Sequence, residues 1–475
     1  MQNIDQTLQT KYLCKDLSDL AKRVSTHVAR NEAPSQFKRW QKEFESVMTR
    51  LEFMPSGNTL SGSGTDKTLQ PNCSVMGEIT DENFEQVKSR SKRLWQKAIG
   101  IGYSINTSDP VKTLEELSQL NDSITLWENR PKRGNMAVIS VDHPQFAQVA
   151  AYKASNLSRL YNFNISVAVT DEFMRSLDNE QAWKDTNRTP RELLQMISQH
   201  CHACGDPGLV FIDRVQSSNM LLTSDHGRVH AAVPCGEQFL HDNETCNLGV
   251  VNLNAPSLYN ENSKTIHWKR LKRVVSIAIR FLDNVVDLLE IPDEKMRIIS
   301  KQLRRIGLGV AGWADLLSKM GYSYDSQDSL ELADRVSRTI TEQARKTSAS
   351  LAREKGECKY RRGFRNISLT CIQPTGGISS VLGNQGYCIE PFFAEANELS
   401  SEAHIQMQAA WQKNIEQGIS KTINMPHSAT VQDIYEAYVL AFEKGCKGIT
   451  VYRNQCREAQ PIRCKECEED VCPKL

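Results

Sequence analysis

The stretch Phe163-Asn164-Ile165-Ser166-Val167-Ala168-Val169 is rich in β-branched and apolar residues. A helical pattern over residues 191–200 and a second β-rich run over residues 209–212 follow it. Short β-rich runs separated by helices are typical of an α/β fold. The same alternation continues on both sides of this stretch, so it determines the predicted fold class of the whole chain.

The rest of the chain repeats this alternation. Further β-rich runs are predicted over residues 137–141, 248–253, 367–372 and 448–452. Helices are predicted over residues 83–100, 110–121, 268–290, 293–320, 330–355, 403–416 and 431–444. In a chain of 475 residues, this pattern predicts a closed α/β barrel surrounded by helices.

The two ends of the chain differ from this central part. Residues 1–53 are predicted to be helical, and residues 54–65 are predicted to form a loop rich in glycine and serine. After Arg453 the composition becomes polar and charged, which predicts a mobile tail over residues 454–475. We therefore expect an N-terminal helical segment (1–53), a barrel domain (54–453) and a flexible tail (454–475).

The bulk composition excludes several classes of protein. A net charge of +1 provides no general attraction to nucleic acid or to an anionic membrane. No apolar run approaches a membrane span, and the first residues lack the basic and apolar regions of a signal peptide. Fourteen cysteines in such a chain indicate a reducing compartment and redox or metal chemistry. We expect a cytoplasmic protein.

Cys235 lies in the segment Pro234-Cys235-Gly236-Glu237, two residues before a carboxylate, and Cys246 follows eleven residues after Cys235. Carboxylates accept and return protons, whereas thiols supply hydrogen atoms and, in pairs, two electrons. A second pair, Cys467 and Cys472, lies in the charged tail, which is too polar to belong to a core. This arrangement favours a thiol relay over simple packing.

An ordered set of motifs resembles the catalytic chain of ribonucleotide reductase, especially its adenosylcobalamin-dependent branch. The likeness runs from about residue 53 to the C-terminus. Its motifs are Phe53-Met54-Pro55-Ser56-Gly57-Asn58-Thr59-Leu60, Asn72-Cys73-Ser74-Val75-Met76-Gly77, Phe163-Asn164-Ile165-Ser166-Val167, Gly205-Asp206-Pro207-Gly208, Pro234-Cys235-Gly236-Glu237, Cys246-Asn247-Leu248-Gly249, Gly309-Val310-Ala311-Gly312-Trp313-Ala314-Asp315-Leu316-Leu317, Ser420-Lys421-Thr422-Ile423-Asn424 and Gly445-Cys446-Lys447-Gly448-Ile449-Thr450-Val451-Tyr452-Arg453. The resemblance implies a ten-stranded α/β barrel with a central finger loop.

The resemblance also implies a role for each residue of the central motif. Cys235 would carry a thiyl radical at the tip of the finger loop and take the hydrogen atom from C3′ of the substrate ribose. Glu237 would act as the base towards the 3′-hydroxyl. Cys73 and Cys246 would be the dithiol that reduces the 2′ position and becomes a disulfide.

Two interpretations of the tail stay open. By resemblance, Cys467 and Cys472 would reduce the interior disulfide and be reduced in turn by thioredoxin or glutaredoxin. Alternatively, they could bind a structural zinc ion together with Cys456 and Cys464, because Cys464 and Cys467 have a suitable ligand spacing. The metal-like segment Cys201-His202-Ala203-Cys204 is predicted to be structural. Apart from the zinc alternative, we expect no metal site in the chain.

The segment Pro374-Thr375-Gly376-Gly377-Ile378-Ser379-Ser380 combines glycines with hydroxyl groups after a predicted strand. Backbone N–H groups and hydroxyls at the start of a helix bind phosphate. The resemblance implies that this segment binds the substrate phosphate, and that Ser56 and Gly57 contact the ribose or phosphate. We expect a nucleoside diphosphate as substrate.

One substrate-site position departs from the family. Val233 stands where the family usually has an asparagine that binds the ribose hydroxyls, and valine has no polar side-chain atom. Either another residue or water takes this role, or turnover is slower. An inactive relative that only binds nucleotides remains an alternative.

A deoxynucleoside triphosphate effector, such as dTTP or dATP, is also implied. Asp81 matches an aspartate that binds the effector ribose. Residues 128–136, which include Arg133, and residues 153–162, which begin with Lys153, resemble the two loops that connect effector and substrate. We expect an effector-induced homodimer, and we expect the family's N-terminal ATP-cone to be absent because too few residues precede Phe53.

Two radical initiators are compatible with the sequence. The Pro-Cys-Gly-Glu and Pro-Thr-Gly motifs favour adenosylcobalamin, as does a lone Tyr452 where metal-partnered enzymes have two adjacent tyrosines. The short chain, without an insertion to enclose a corrinoid, favours a di-metal or radical centre on a separate ferritin-like subunit. In that case Tyr387 and Tyr452 would form the radical path.

Overall fold

The computed structural model describes residues 4–12, 14–126, 134–156, 158–221 and 227–457. Arg133, Cys464, Cys467 and Cys472 lie outside these residues, as does most of the loop 128–136. The roles expected for them therefore remain predictions.

Three helices begin the chain, as predicted for residues 1–53. They are α1 (Ile4–Lys11), α2 (Leu17–Ala29) and α3 (Phe37–Thr49), and they are followed by β1 (Phe53–Pro55) and α4 (Gly57–Gly62). Helix α2 begins after Asp16, whose carboxylate accepts the Asp19 N–H. Its apolar residues recur at helical spacing and are buried against α3. Residues 54–65, predicted as a loop, thus contain the end of a strand and a short helix.

Five parallel strands form the first half of the barrel, in the spatial order in which they occur in the chain. The elements of this half are β2 (Cys73–Ile79), α5 (Phe84–Gln96), β3 (Gly100–Ile105), α6 (Pro110–Ser123), β4 (Asn135–Ser140), α7 (Phe146–Ser155), β5 (Phe163–Val169), α8 (Asp171–Arg175), α9 (Pro190–Cys204) and β6 (Gly208–Phe211). The strand predicted over residues 163–169 is confirmed as β5.

The second half of the barrel lies in the remainder of the described chain. The elements from there on are α10 (Ile212–Ser217), β7 (Ala231–Ala232), β8 (Phe239–Leu240), β9 (Glu244–Cys246), β10 (Leu248–Asn252), β11 (Tyr259–Asn260), β12 (Thr265–Ile266), α11 (Trp268–Leu288), α12 (Glu294–Leu303), β13 (Gly307–Ala311), α13 (Trp313–Met320), α14 (Gln327–Lys355), α15 (Gly376–Leu382), α16 (Ser401–Gln412), β14 (Thr422–Met425), α17 (Val431–Glu443) and β15 (Gly448–Arg453). Strands β10 and β13 are parallel neighbours, as are β14 and β15.

The ring closes through an irregular strand and two antiparallel seams. Residues 368–372 make single bridges to both neighbours, from Thr370 to Leu308 and from Ile372 to Ile419. At the seams, β15 runs antiparallel to β6, and β9, which leads into β10, runs antiparallel to β2. Five strands from β2 to β6 and five from the second half (β10, β13, 368–372, β14 and β15) make ten. The predicted ten-stranded α/β barrel is confirmed.

The helix predicted over residues 293–320 is wrong. This region forms α12, β13 and α13 instead. Helix α12 ends at Leu303 and is followed by Arg304, which has a left-handed backbone (φ 49°) and forms ion pairs with the buried Asp283 and the half-buried Asp287. The apolar residues that follow form the buried strand β13. A short apolar run does not distinguish a buried strand from a helix by periodicity, which explains the error.

Other boundaries also differ from the prediction. The helix predicted over residues 83–100 ends at Gln96, and Gly100 already begins β3. Strands β2, β3 and β14 lie in regions where no strand was predicted, and the strand predicted over 367–372 is reduced to the two single bridges. Among the helices that the structure describes, none has both the length and the apolar character needed to cross a lipid bilayer.

Candidate functional site

A short hairpin, formed by β7 and β8, enters the barrel. Its two strands pair antiparallel, and the Val233 N–H donates to Gln238 O at the start of the turn that contains Cys235. Strand β7 packs against β2, β3 and β4, so the hairpin lies inside the ring. Gly102 is required here, because a Cβ atom at this position would be 2.0 Å from Ala232 O. The hairpin is the predicted finger loop.

The finger loop is surrounded by its own apolar cluster, distinct from the core between helices and barrel. Its members face the barrel interior and include Val75, Met136, Val138, Ala168, Val210, Ala231, Ala232, Val233, Phe239 and Leu240. Val233 is completely buried among them. The structure therefore gives Val233 a packing role, and its side chain offers no polar atom to a ligand.

Cys73, Glu237 and Cys246 meet beside the finger loop. Their sulfur and carboxylate atoms all lie within 4.8 Å of one another, and within the described part of the chain no other group of three or more Cys, His, Asp or Glu side chains is so compact. Cys73 and Cys246 are directly opposite each other in the β2–β9 ladder, and neither forms a disulfide in the structure. Residues that are far apart in sequence are thus brought together by one antiparallel seam.

Glu237 is a buried carboxyl group in this cluster. Burial raises its pKa to about 7, and among the described residues its Oε2 atom has no hydrogen-bond partner. Burial also raises the pKa of the Cys246 thiol, although a hydrogen bond with Cys73 acts in the opposite direction. A carboxyl group that titrates near neutral pH is suited to both accept and return a proton.

Two thiols and a carboxylate are also possible zinc ligands. Metal binding requires deprotonated thiols, and burial raises the pKa of the Cys246 thiol, which makes its deprotonation less favourable. The cluster therefore favours thiol redox and proton-transfer chemistry over metal binding.

Cys235 lines a cavity of about 360 Å³. Its side chain is exposed, and Asn164 Nδ2 donates to Pro234 O and so holds the turn beside β5. Tyr387 and Tyr452, the two predicted radical-path residues, line the same cavity. Cys235 thus lines the cavity, whereas Glu237, two residues further on in the same loop, lies with the thiol pair.

Tyr452 is half-buried at the edge of this cavity. Burial raises its pKa to about 12, and its hydroxyl shares a hydrogen bond with the Cys456 thiol. Tyr387, by contrast, is 37% exposed, as is typical of an aromatic residue in an open cavity rather than in a core. Both tyrosines are thus available to a molecule that enters the cavity.

The predicted phosphate-binding residues line a second cavity, of about 370 Å³. Ser56 and Gly57 approach from one side, and Thr375, Gly377 and Ile378 approach from the start of α15. The remaining predicted residues of this segment are Gly376, Ser379 and Ser380. Ser379 points inwards to the Thr375 hydroxyl at 2.9 Å, and Ser380 Oγ is 3.4 Å from Gly376 O.

Two lysines missed by the sequence analysis give this cavity a positive charge. Lys11, at the end of α1, and Lys67 both line it, and its lining contains no carboxylate among the described residues. A Cβ atom on Gly377 would be only 2.8 Å from Lys11 Nζ, so the ammonium group lies directly over the start of α15. No local pattern predicts this contact, because α1 and α15 are far apart in sequence.

A buried polar row was also missed. Cys371, Gln373 and Gln238 lie in the barrel interior, where Gln238 Nε2 is 3.7 Å from Cys371 Sγ and Gln373 Nε2 donates to Gly249 O. The charge of Glu237 contributes to a raised pKa of Cys371, after the larger effect of burial. The sequence signal for this row is that Cys371, Gln373 and Thr375 are each two residues apart, because every second side chain of an extended segment lies on the same side.

The predicted effector residues lie elsewhere on the barrel. Asp81 is exposed at the end of β2, and its carboxylate accepts the Ser108 N–H. Lys153 is 3% exposed and forms an ion pair with Asp206 at 2.7 Å. The Lys153 ammonium group thus points into the protein, and an effector contact would require this ion pair to open. Arg133 lies outside the described residues.

The remaining cysteines of interest are buried. Cys201 and Cys204 lie at the end of α9, where Cys201 Sγ is 3.7 Å from Val451 O and Cys204 Sγ is 3.3 Å from Asp206 O. These contacts agree with the structural role predicted for them. Of the four cysteines in the zinc alternative, only Cys456 is described, and it is buried beside Tyr452.

Comparisons with known proteins give one consistent family. The model of the "Ribonucleotide reductase, barrel domain" matches residues 184–362 and 392–452, and that of the "Ribonucleotide reductase, all-alpha domain" matches residues 5–68. The vitamin B12-dependent ribonucleoside-diphosphate reductase of Mycobacterium tuberculosis (strain CDC 1551 / Oshkosh) is 32% identical, over 90% of this chain and 74% of that protein. The enzyme of the same description from Thermoplasma acidophilum is 31% identical, over 88% of this chain and 66% of that protein.

A solved structure supports the same fold. The Actinobacillus ureae class Id ribonucleotide reductase alpha subunit superposes with a TM-score of 0.80, covering 96% of this chain and 97% of that one. The two sequences are 19% identical, so this likeness concerns the fold alone.

Proposed function

The chain belongs to the ribonucleotide reductase family, as a catalytic subunit, and on that premise we propose that it reduces ribonucleoside diphosphates by thiyl-radical chemistry at the finger loop. The observation that carries this proposal is the contact of Cys73, Cys246 and Glu237 beside the loop that bears Cys235. A dithiol, a proton acceptor and a radical-bearing thiol are the groups that the reaction requires.

The proposed reaction assigns one task to each group. A Cys235 thiyl radical takes the hydrogen atom from C3′ of the ribose, and Glu237 takes the proton of the 3′-hydroxyl. The 2′-hydroxyl gains a proton from the thiol pair and leaves as water, and Glu237 later returns its proton to the 3′-oxygen. Cys73 and Cys246 supply two electrons and two protons and become a disulfide. Finally, Cys235 returns its hydrogen atom to C3′, so the radical is regenerated at sulfur.

Charge in the second cavity supports a nucleotide substrate with several phosphate groups. Lys11 and Lys67 approach the start of α15, where Thr375 and Gly377 offer a hydroxyl and a backbone N–H. The relatives described above are named ribonucleoside-diphosphate reductases. We therefore propose a diphosphate rather than a triphosphate substrate.

Adenosylcobalamin is the initiator we favour, because the relatives reported above are named vitamin B12-dependent enzymes. The fit is supported by the first cavity, in which Tyr387 and Phe393 are exposed aromatic surfaces beside an exposed Cys235. Its volume of about 360 Å³ suits a nucleoside-sized group. When bound, the cofactor would supply the first radical, and these residues would orient its adenosyl part and keep Cys235 accessible.

A separate radical-generating subunit is the second candidate. The observation that favours it is that Tyr452, Tyr387 and Cys235 line one cavity. A path through these side chains would deliver a radical to Cys235 from a ferritin-like protein bound at its mouth. The two candidates use the same thiol and differ only in what occupies the cavity.

Regulation and reduction follow the family. Ribonucleotide reductases take a nucleotide substrate and a nucleotide effector, and thioredoxin-type proteins reduce them. We further propose that dTTP or dATP binds near Asp81 and selects the substrate, that it promotes a homodimer, and that Cys467 and Cys472 pass electrons to the interior pair. The cell's cytoplasm, which is reducing, is the compartment that this chemistry needs.

The test is reduction of CDP by the purified chain with dithiothreitol as reductant. We expect dCDP with adenosylcobalamin alone, and no product from the Cys235→Ser variant, although that variant still binds CDP. Activity only after addition of a metal-radical subunit would favour the second candidate. Failure of the unmodified chain to bind any ribonucleotide would overturn the proposed function.

A further inference from the structure

Gln373 occupies the space between the two halves of the proposed site. It lies two residues after Cys371 and two residues before Thr375 in an extended segment. Side chains of this segment alternate between the barrel interior and the outer core, which is the core between the barrel and the surrounding helices. Cys371 belongs to the interior cluster, whereas Ile372 belongs to the outer core. One interior row therefore leads from the thiol and carboxyl groups, through Gln373, to the phosphate-binding turn.

Strand β13 is adapted to this row. A Cβ atom on Gly307 would be 2.5 Å from Cys371 Sγ, and one on Gly309 would be 2.2 Å from Gln373 Oε1. Two glycines at alternate positions thus provide the space in which the polar side chains lie. Gln373 is only 5% exposed. An apolar side chain would fill such a buried position equally well, so packing alone does not explain the amide.

The Gln373 amide is held in place by hydrogen bonds but does not use all of its hydrogen-bonding capacity. Its Nε2 atom donates to Gly249 O at 2.7 Å, and its Oε1 atom is 3.5 Å from Cys371 Sγ, which can donate. A carboxamide has two N–H donors and two oxygen lone pairs. In the part of the chain that the structure describes, one donor and one lone pair are therefore unused, and the side chain lines the second cavity.

We propose that Gln373 binds the ribose hydroxyls of the substrate through this unused donor and acceptor, and so selects a ribonucleotide and positions its sugar. The inference rests on the proposed function and adds a residue to it. A nucleotide whose phosphates lie at Thr375 and Lys11 has its sugar further along the row, towards Cys371 and Glu237. The 2′- and 3′-hydroxyls are paired donors and acceptors, as is the free side of the amide.

The test compares the binding of CDP and dCDP without any radical initiator, so that no turnover occurs. Gln373→Met keeps the length of the side chain and removes its hydrogen bonds. Because a net hydrogen bond contributes about 0.5–1.5 kcal/mol, we expect CDP to bind about 2- to 13-fold more weakly to this variant. The dissociation constant of dCDP should change less, so that the preference for CDP over dCDP becomes smaller.

Gln408→Met is the matched control. Gln408 is a buried glutamine that also donates one hydrogen bond to a backbone oxygen, that of Gly448, but it lines neither cavity. Its replacement should leave the preference for CDP unchanged. The melting temperature of each variant shows whether it is folded.

Gln373→Asn is the second variant, for the case in which methionine prevents folding. It retains an amide that is one methylene shorter, and we expect it to lose part of the preference. An unchanged CDP:dCDP preference in a folded Gln373 variant, or equal weakening of both ligands, would overturn the inference. Failure of the unmodified chain to bind CDP would instead contradict the proposed function.

Discussion

Cys73 and Cys246 face each other across the antiparallel strands β2 and β9. Directly opposed residues in such a pair have Cα atoms about 4.5–5.5 Å apart, which lies within the range of about 4.4–6.8 Å found in disulfides. The pair can therefore change between dithiol and disulfide without rearrangement of the barrel. Glu237 completes the cluster from the finger loop, so the redox pair and the proton acceptor are held by different elements.

Replacing either member of this pair should stop turnover. Without both thiols the substrate cannot receive two electrons, so we expect Cys73→Ser and Cys246→Ser to lower the steady-state rate of dCDP formation by about 10³-fold or more. Radical formation should survive, which produces free cytosine and inactivated protein instead. Product and base release are measured together by chromatography.

Cys358→Ser is a suitable control for these variants. Cys358 is buried outside the cluster and donates to backbone oxygens, a contact that serine can keep. Its activity should stay close to that of the unmodified chain. Normal dCDP formation by Cys246→Ser would contradict the assigned role.

Glu237 should give the enzyme a pH dependence near neutrality. Its pKa is raised by burial to about 7, above its ordinary 4.5, so the folded protein holds this proton more tightly than the unfolded chain does. The resulting stabilisation is complete below pH 4.5 and is lost as pH rises through 7, with a total of about 3 kcal/mol. We expect activity to show the opposite trend and rise with pH through 7, since the base must be ionised.

Glu237→Gln separates the two effects. It should abolish reduction, and its melting temperature relative to the unmodified chain should increase between pH 5 and pH 8. Glu261→Gln, at an exposed site, should show no such trend. A difference in melting temperature between Glu237→Gln and the unmodified chain that is independent of pH would mean that the carboxyl group does not titrate in this range.

Lys11 should contribute to phosphate binding, because its ammonium group lies over Gly377 in a cavity lined by no described carboxylate. It is exposed, so an ion pair with phosphate contributes about 1 kcal/mol at most, and Lys11→Gln should raise the dissociation constant of CDP about two- to fivefold. The effect should be smaller for cytidine monophosphate and should decrease at high salt. Lys42→Gln, on the exposed surface of α3, is the control, and an equal effect of both variants would contradict this prediction.

The tail gives a prediction that separates its two interpretations. If Cys467 and Cys472 shuttle electrons, a double serine variant should lose multiple turnovers with thioredoxin and retain them with dithiothreitol, which reaches the interior directly. If they bind zinc, purified protein should contain one equivalent of the metal, and a chelator should change its melting temperature. Elemental analysis and the two reductant assays therefore give different results for the two cases.

The alternation of strands and helices was predictable where the local pattern was strong. Residues 163–169 are buried on both faces and rich in β-branched residues, so they predict β5 correctly. Strand β13 was not predictable in the same way, because two of its five residues are glycines that make room for Cys371 and Gln373. The side chains that need this space belong to a neighbouring strand, so the local sequence of β13 contains no periodic pattern that predicts it.

The candidate site was also predictable only in part. Cys235 and Glu237 stand out because they are two residues apart in one motif, whereas the contact of Cys73 with Cys246 exists only because β2 and β9 pair. Lys11 was missed because α1 reaches the cavity through tertiary packing. Burial likewise decides the pKa of Glu237, and no pattern of residues around position 237 predicts its depth.

The most direct measurement of the central claim is a single turnover of fully reduced protein in which Cys467 and Cys472 are serine and no external reductant is present. With CDP and the initiator, we predict about one dCDP per chain and a disulfide between Cys73 and Cys246, identified by peptide mapping. Formation of dCDP with both of these thiols still free, or with a disulfide between other cysteines, would contradict the account.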